Sequence, residues 1–280
     1  MRPFPFSDAT RTLIRLALDE DLYAGDVTTD AIFSPDDLGS ASFRAKETLT
    51  IAGIPVVEEV FRLVDPELQV GWSVSDGETV APGTTLGVVQ GRVRSLLRAE
   101  RVTLNFFRHL SGVASLTRRY VDALASERTR LVDTRKTTPG FRELEKYAVR
   151  MGGGFNHRYN LSSGVMIKDN HIAAAGSIAL AVAKVRHHAP FLLRIEVEVA
   201  SLTQVEEALA AGADVIMLDN MDTPTMAVAI QTIAGRALVE ASGNITETRL
   251  AELREIGVDI ISTGAITHSA PQVDISMKIV

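Results

Sequence analysis

Four short apolar runs recur in the second half of this 280-residue chain at a spacing of roughly 21 residues: LLRIEVEV from 192 to 199, DVIMLD from 214 to 219, ALVEAS from 237 to 242 and DIISTG from 259 to 264. Helix-like segments fill the gaps, with start signals at Ser201 and Gln204, at Thr223 before Pro224, and at Asn244 and Glu247. Stop signals stand at Gly212, Gly235 and Gly257. Strands joined by helical crossovers run parallel, so this alternation restricts the chain more than its composition does. RLVDTR from 130 to 135 and VMIKDN from 165 to 170 read as two further strands, and a closed or nearly closed β/α barrel fits better than an open sheet.

The first part of the chain has a different rhythm. Short β-like stretches, GSASFRAKETLTIAG and LQVGWSVSDGETVAPGTTLGVVQGRV, are bounded by Gly, Pro and Asp turns, which predicts a separate α+β domain. From Ser95 to Ala125 the apolar spacing predicts a pair of helices bridging the domains, with a break near Gly112. The expected division is 1–115 for the first domain, with 273–280 returning to it, and 116–272 for the barrel. The absence of cysteine removes disulfides, thiolate nucleophiles and cysteine metal sites. No stretch supplies the ~20 apolar residues of a membrane span, and the start lacks a secretory apolar core, so a cytoplasmic location without membrane attachment is expected. The formal net charge is -6 and no long basic run occurs, which makes nucleic acid an unsuitable partner.

Against that acidic background, seven Lys or Arg face four Asp or Glu between Asp133 and His171, a local excess of three positive charges. Arg135 and Lys136 follow one strand and Lys168 another, with His157 and Arg158 between them, beyond three consecutive glycines. Guanidinium forks favour carboxylates and phosphates, and strand ends are where barrels place their chemistry. The expectation is a small-anion site. Arg142, Lys146 and Arg150, at helical spacing with Glu143 and Glu145, are read as a solvated face. In IEVEV, alternation turns Ile195, Val197 and Val199 toward the helices and Glu196 and Glu198 inward. Glu198 and Asp219 at neighbouring strand ends suit hydrated Mg²⁺ gripping a substrate phosphate, a reading favoured over the competing one, a salt bridge to Arg or Lys inside the barrel. Glycines after the last two strands, in SGN and STG, allow backbone N–H groups to approach a phosphate.

These segments together, GDVTT, ERVTLNFFRHLSG, DTRKTTPGFRELEKYAVRMGGGFNHR, IKDNHI, IEVEV, IMLDNM, VEASGNI and ISTGAITHSAP, resemble the quinolinate phosphoribosyltransferase family across nearly the whole chain. The resemblance implies an α/β fold with an N-terminal α/β sandwich domain and a C-terminal incomplete parallel β/α barrel. It also implies a homodimer in which the sandwich of one subunit covers the barrel mouth of the other. The activity implied is phosphoribosyl transfer from phosphoribosyl pyrophosphate to quinolinate with decarboxylation, a step of NAD biosynthesis dependent on Mg²⁺. Carried over by position, Arg101 would reach quinolinate in trans, while Arg135, His157, Arg158 and Lys168 would bind its carboxylates, with Thr134 among the substrate-binding residues. Lys136 would lie between the two substrates. Glu198 and Asp219 would hold the ribose hydroxyls and the metal, and Ser242, Gly243, Gly264 and His268 the 5′-phosphate. A Schiff-base aldolase built on Lys168 and a non-catalytic phosphate sensor are the competing readings of the same scaffold.

Overall fold

The structure, a computed structural model, describes residues 5–280. The chain opens with helices α1 (Asp8–Leu22) and α2 (Val27–Ile32), each capped by the side chain of its preceding residue, Ser7 and Asp26. Strands β1 (Leu38–Ala45) and β2 (Leu49–Thr50), helix α3 (Ile54–Val64), and strands β3 (Gln69–Trp72), β4 (Thr79–Val80) and β5 (Thr85–Arg92) follow. Helix α4 runs unbroken from Val93 to Leu124. After it come β6 (Arg130–Val132), α5 (Arg142–Met151), β7 (Val165–Ile167), α6 (Asp169–Ala175), α7 (Ile178–His188), β8 (Ile195–Val199) and α8 (Leu202–Ala210). The last elements are β9 (Val215–Asp219), α9 (Thr223–Ile233), β10 (Leu238–Ser242), α10 (Leu250–Glu255), β11 (Ile260–Ser262), α11 (Ala265–His268) and β12 (Ile275–Ile279).

Two compact units result. The first takes the described chain up to Arg118 together with Thr137–Gly153 and Ile266–Val280; the second holds Arg119–Lys136 and Gly154–Ala265. In the first unit β12, β1, β5 and β3 form an antiparallel sheet in that order, the chain end having returned to pair Phe43 with Met277. Phe43 anchors its core, stacked on Trp72 at 5.5 Å and edge-on to Phe61 and Phe107 at 6.1 Å. Segment Thr137–Gly153, expected with the barrel, belongs here because its side chains are spent here. Glu143 accepts hydrogen bonds from the Ser7 and Thr10 hydroxyls, Phe141 stacks on Phe106, and Glu145 pairs with His109 at 3.0 Å. Glu145 and Lys146 are buried, so the reading of α5 as a solvated charged face fails there; Arg142 is half-buried and, of the three cations, Arg150 alone is exposed.

The expected helix pair is one helix, and Gly112 serves a close approach in place of a break. A Cβ there would stand 2.1 Å from the Pro271 carbonyl oxygen. Gly152 has the same office: its Cβ would lie 2.5 Å from the Ala114 carbonyl oxygen and from Thr117 Cβ, so the glycine triplet opens on a packing constraint. Gly112→Ala gains about 1 kcal/mol of helix propensity. It meets a backbone carbonyl that cannot rotate away, and overpacking of that kind costs about 1–3 kcal/mol. Thermal denaturation is expected to show a Tm lower by several degrees; an unchanged or higher Tm would mean the contact relaxes freely.

The second unit is a six-stranded, wholly parallel sheet in the order β6, β11, β10, β9, β8, β7. All six predicted strands are present; β6 carries an isolated bridge from Val132 to Phe155, a residue outside the strands, and no ladder among the described residues pairs β6 with β7, which leaves the barrel incomplete. Ile195, Val197, Ile216, Leu218, Val239 and Ala241 are buried, as strands covered by helices require. Of the anticipated helix starts, Ser201 caps α8 through Gln204 N–H. Asp222 rather than Thr223 caps α9, by accepting from Thr225 N–H at 2.9 Å. Asn244 and Glu247 make no capping pair; Asn244 is instead in the left-handed region at φ 49°.

Candidate active site

Strand parity assembles the site. Side chains at alternate positions share a face, so Glu196 with Glu198, Met217 with Asp219, Glu240 with Ser242, and Ser262 turn to the same side of the sheet. Register sets Ser242 directly beside Asp219 and Glu198 beside Met217. At this mouth lies a cavity of about 450 Å³, lined by Thr134, Arg135, Lys136, His157, Arg158, Lys168, Glu198, Asp219, Ser242 and Gly243. Ten of the thirteen site residues expected from sequence thus converge on one space. Gly264 is buried at the head of α11 and outside the lining. His268, hydrogen-bonded to the Ser269 hydroxyl, and Arg101, on α4, belong to the first unit and are exposed.

Buried Asp133, at the end of β6, orients the cationic loop. Its carboxylate accepts from Asn156 Nδ2 at 2.6 Å and from His157 N–H at 2.9 Å. Arg158 donates to the Gly164 carbonyl at 3.2 Å, and its pKa is lowered by burial and by the neighbouring Arg135 charge. Two guanidiniums that repel each other in a half-buried cavity favour an anion between them. Lys168 forms an ion pair with Glu198, so the salt-bridge reading of the inward carboxylate is satisfied at that position, within the cavity lining itself.

Sequence reasoning noted Glu196 without assigning it a place in the site, and missed Glu240. His157 Nε2 stands 3.3 Å from Glu196 and 3.4 Å from Glu240, both carboxylates being buried. Burial alone would lower the imidazole pKa, yet the two carboxylates overcome it and raise it to about 10. Glu196 is pushed up to about 7, by burial first and then, against the pull of His157, by Glu240. The three ligand atoms lie within 4.8 Å of one another, a spacing that suits a metal. As a protonated ring, His157 instead donates toward both carboxylates, and its charge offsets theirs. The signal for Glu240 was its shared parity with Ser242.

Both groups hold more proton folded than unfolded, His157 from 6.5 up to about 10 and Glu196 from 4.5 up to about 7. Stability from such groups is complete at the acid end and is lost as pH rises through those windows. Calorimetry is expected to show a Tm falling as pH rises through these windows, from about pH 4.5 to about pH 10. In the Glu196→Gln/Glu240→Gln variant the trend should flatten or reverse, because burial then dominates the imidazole; an identical trend would contradict the assignment.

Fold and cavity together define an α/β protein with an incomplete parallel barrel and a cavity of mixed cationic and acidic side chains at its strand ends. Residues 26–111 match the family model for the N-terminal domain of quinolinate phosphoribosyl transferase, and residues 113–278 that for its C-terminal domain. The probable nicotinate-nucleotide pyrophosphorylase [carboxylating] of Synechocystis sp. is 46% identical over 266 residues, 94% of this chain and 90% of that one. Its counterpart in Bacillus subtilis is 44% identical over 260 residues, covering 93% and 90%. The crystal structure of NadC from Streptococcus pyogenes superposes with a TM-score of 0.95 at 46% identity, covering 100% of this chain and 99% of that one. The chain belongs to the quinolinate phosphoribosyl transferase family.

Proposed function

We propose that this protein is a quinolinate phosphoribosyltransferase. It transfers phosphoribosyl from phosphoribosyl pyrophosphate to quinolinate, releasing CO₂ and pyrophosphate and giving nicotinate mononucleotide for NAD biosynthesis. The observation that carries this reading is the single cavity lined by Arg135, Lys136, His157, Arg158 and Lys168 on one part of its wall and by Glu198, Asp219, Ser242 and Gly243 on another. A dicarboxylate and a polyphosphate repel one another, so joining them requires fixed positive charge in a sheltered space.

Arg135, His157, Arg158 and Lys168, with the Thr134 hydroxyl, take the carboxylates, and Lys136 sits between the reactants. Glu198 and Asp219 take the ribose hydroxyls, and Ser242 and Gly243, with Gly264 and His268 beyond the cavity lining, take the 5′-phosphate. The pyridine nitrogen attacks C1′ while the C1′–O bond breaks with its electron pair leaving on pyrophosphate. The ring nitrogen, now positive, stabilises the electron pair left on C2 when the bond from C2 to its carboxylate breaks; CO₂ departs and that pair takes a proton. The residues' main contribution is placement. Glu198 and Asp219 are hard oxygen donors on adjacent strands, a set that fits Mg²⁺ shared with substrate phosphates and water. When bound there, the ion would offset charge on the departing pyrophosphate.

Arg101 is exposed on α4 and lines no part of the cavity, which supports its delivery from the sandwich of a second subunit in a homodimer. The lack of any helix, among the described residues, long and apolar enough to cross a membrane accords with a cytoplasmic enzyme. Incubation with quinolinate, phosphoribosyl pyrophosphate and Mg²⁺ is expected to yield CO₂ and pyrophosphate in equal amounts, with no product from nicotinate. Turnover of nicotinate in preference to quinolinate would overturn the reading.

A further inference from the structure

Asn220 follows the strand-end carboxylate Asp219 and adopts φ 54°, a left-handed conformation that costs most side chains energy but that Asn tolerates. Every polar group given for it is spent on the two neighbouring strand ends. Its backbone N–H donates to the Ser242 carbonyl at 3.0 Å. Its side-chain Nδ2 donates to Asp219 Oδ2 at 2.7 Å, and its Oδ1 accepts from Asn244 Nδ2 at 3.1 Å. Gly243 is fitted around it, since a Cβ there would come within 2.2 Å of Asn220 Oδ1 and 2.9 Å of Asn220 N. Asn220 itself is exposed and lines the cavity. A solvent-facing side chain contributes little to the core, so a strained backbone and a full set of directed hydrogen bonds need another reason.

We propose that Asn220 is a positioning residue, locking the Asp219 carboxylate and the Ser242–Asn244 turn into one rigid element that grips the two ends of a ribose 5-phosphate group. This rests on the reading of the cavity as a phosphoribosyl transferase site, in which Asp219 holds ribose hydroxyls and Ser242 and Gly243 the phosphate. Without the clamp each piece remains but their separation is no longer fixed, and misplacement by about 1 Å can cost up to a hundredfold in rate.

Asn220→Gly relieves the backbone strain while deleting the clamp, and Asn220→Asp keeps the size while replacing the donor with a charge beside Asp219. Steady-state kinetics on the full chain are expected to show KM for phosphoribosyl pyrophosphate raised about tenfold or more in Asn220→Gly and further in Asn220→Asp. The KM for quinolinate should stay within about twofold, and the Tm of Asn220→Gly should be at least that of the parent. Calorimetric binding of phosphoribosyl pyrophosphate gives the same comparison without turnover. Unchanged donor affinity in both variants, or equal loss for both substrates, would overturn the positioning role. A parent protein that neither binds the donor nor turns over would instead overturn the functional reading beneath it.

Discussion

Arg135→Ala and Arg158→Ala are each expected to lower kcat/KM for quinolinate by two to three orders of magnitude, with KM for phosphoribosyl pyrophosphate changed only a few-fold. Removing one partner of a desolvated, hydrogen-bonded charge pair costs about 2–5 kcal/mol, and each 1.4 kcal/mol is tenfold. The two arginines lie close enough that the charge of Arg135 lowers the pKa of Arg158, a repulsion that a bound dicarboxylate would reverse. Lysine at either position should restore little, because a point charge cannot reproduce the planar fork. Initial-rate measurements at varied quinolinate check this; a tenfold or smaller effect in both variants would remove the arginines from the quinolinate site.

Arg101→Ala should abolish turnover, and so should Lys168→Ala, yet a mixture of the two inactive proteins should recover activity. If Arg101 acts on the partner subunit's cavity, a mixed dimer contains one site with both residues intact and one with neither. Random exchange at equal amounts makes half the dimers mixed, so recovery should approach about a quarter of parental activity. A site completed within one chain would recover nothing once exchange had been demonstrated. The exposed position of Arg101 on α4, away from the lining of the cavity, is what makes the experiment informative.

Alternation along the strands made much of this cavity legible in the sequence. Glu198, Asp219 and Ser242 could be placed because each lies in the last two positions of a strand whose apolar neighbours are buried, and the basic segment could be placed because it follows β6. Tertiary contacts without a local signature were not legible. Gly112 reads as a helix break but is a groove for the Pro271 carbonyl, and Gly152, given no role from sequence, packs against Ala114 and Thr117. The charges of α5 follow helical spacing and so resemble a solvated face, whereas Glu145 is bound by His109 and the Thr138 N–H in a buried setting. The carboxylates around His157 come from two strands separated in the sheet by β9, and only the register brings Glu196 and Glu240 to one imidazole.

The proposed binding of a small dianion by these cations can be tested without any chemistry. Isothermal titration of quinolinate into the parent protein, with no donor present, should give saturable binding, and nicotinate, with one carboxylate fewer, should bind far more weakly. In the Arg135→Ala/Arg158→Ala variant, with its Tm intact, quinolinate affinity should fall to the level of nicotinate. Quinolinate binding that is equally tight in parent and double variant would contradict the assignment of this cavity to the dicarboxylate.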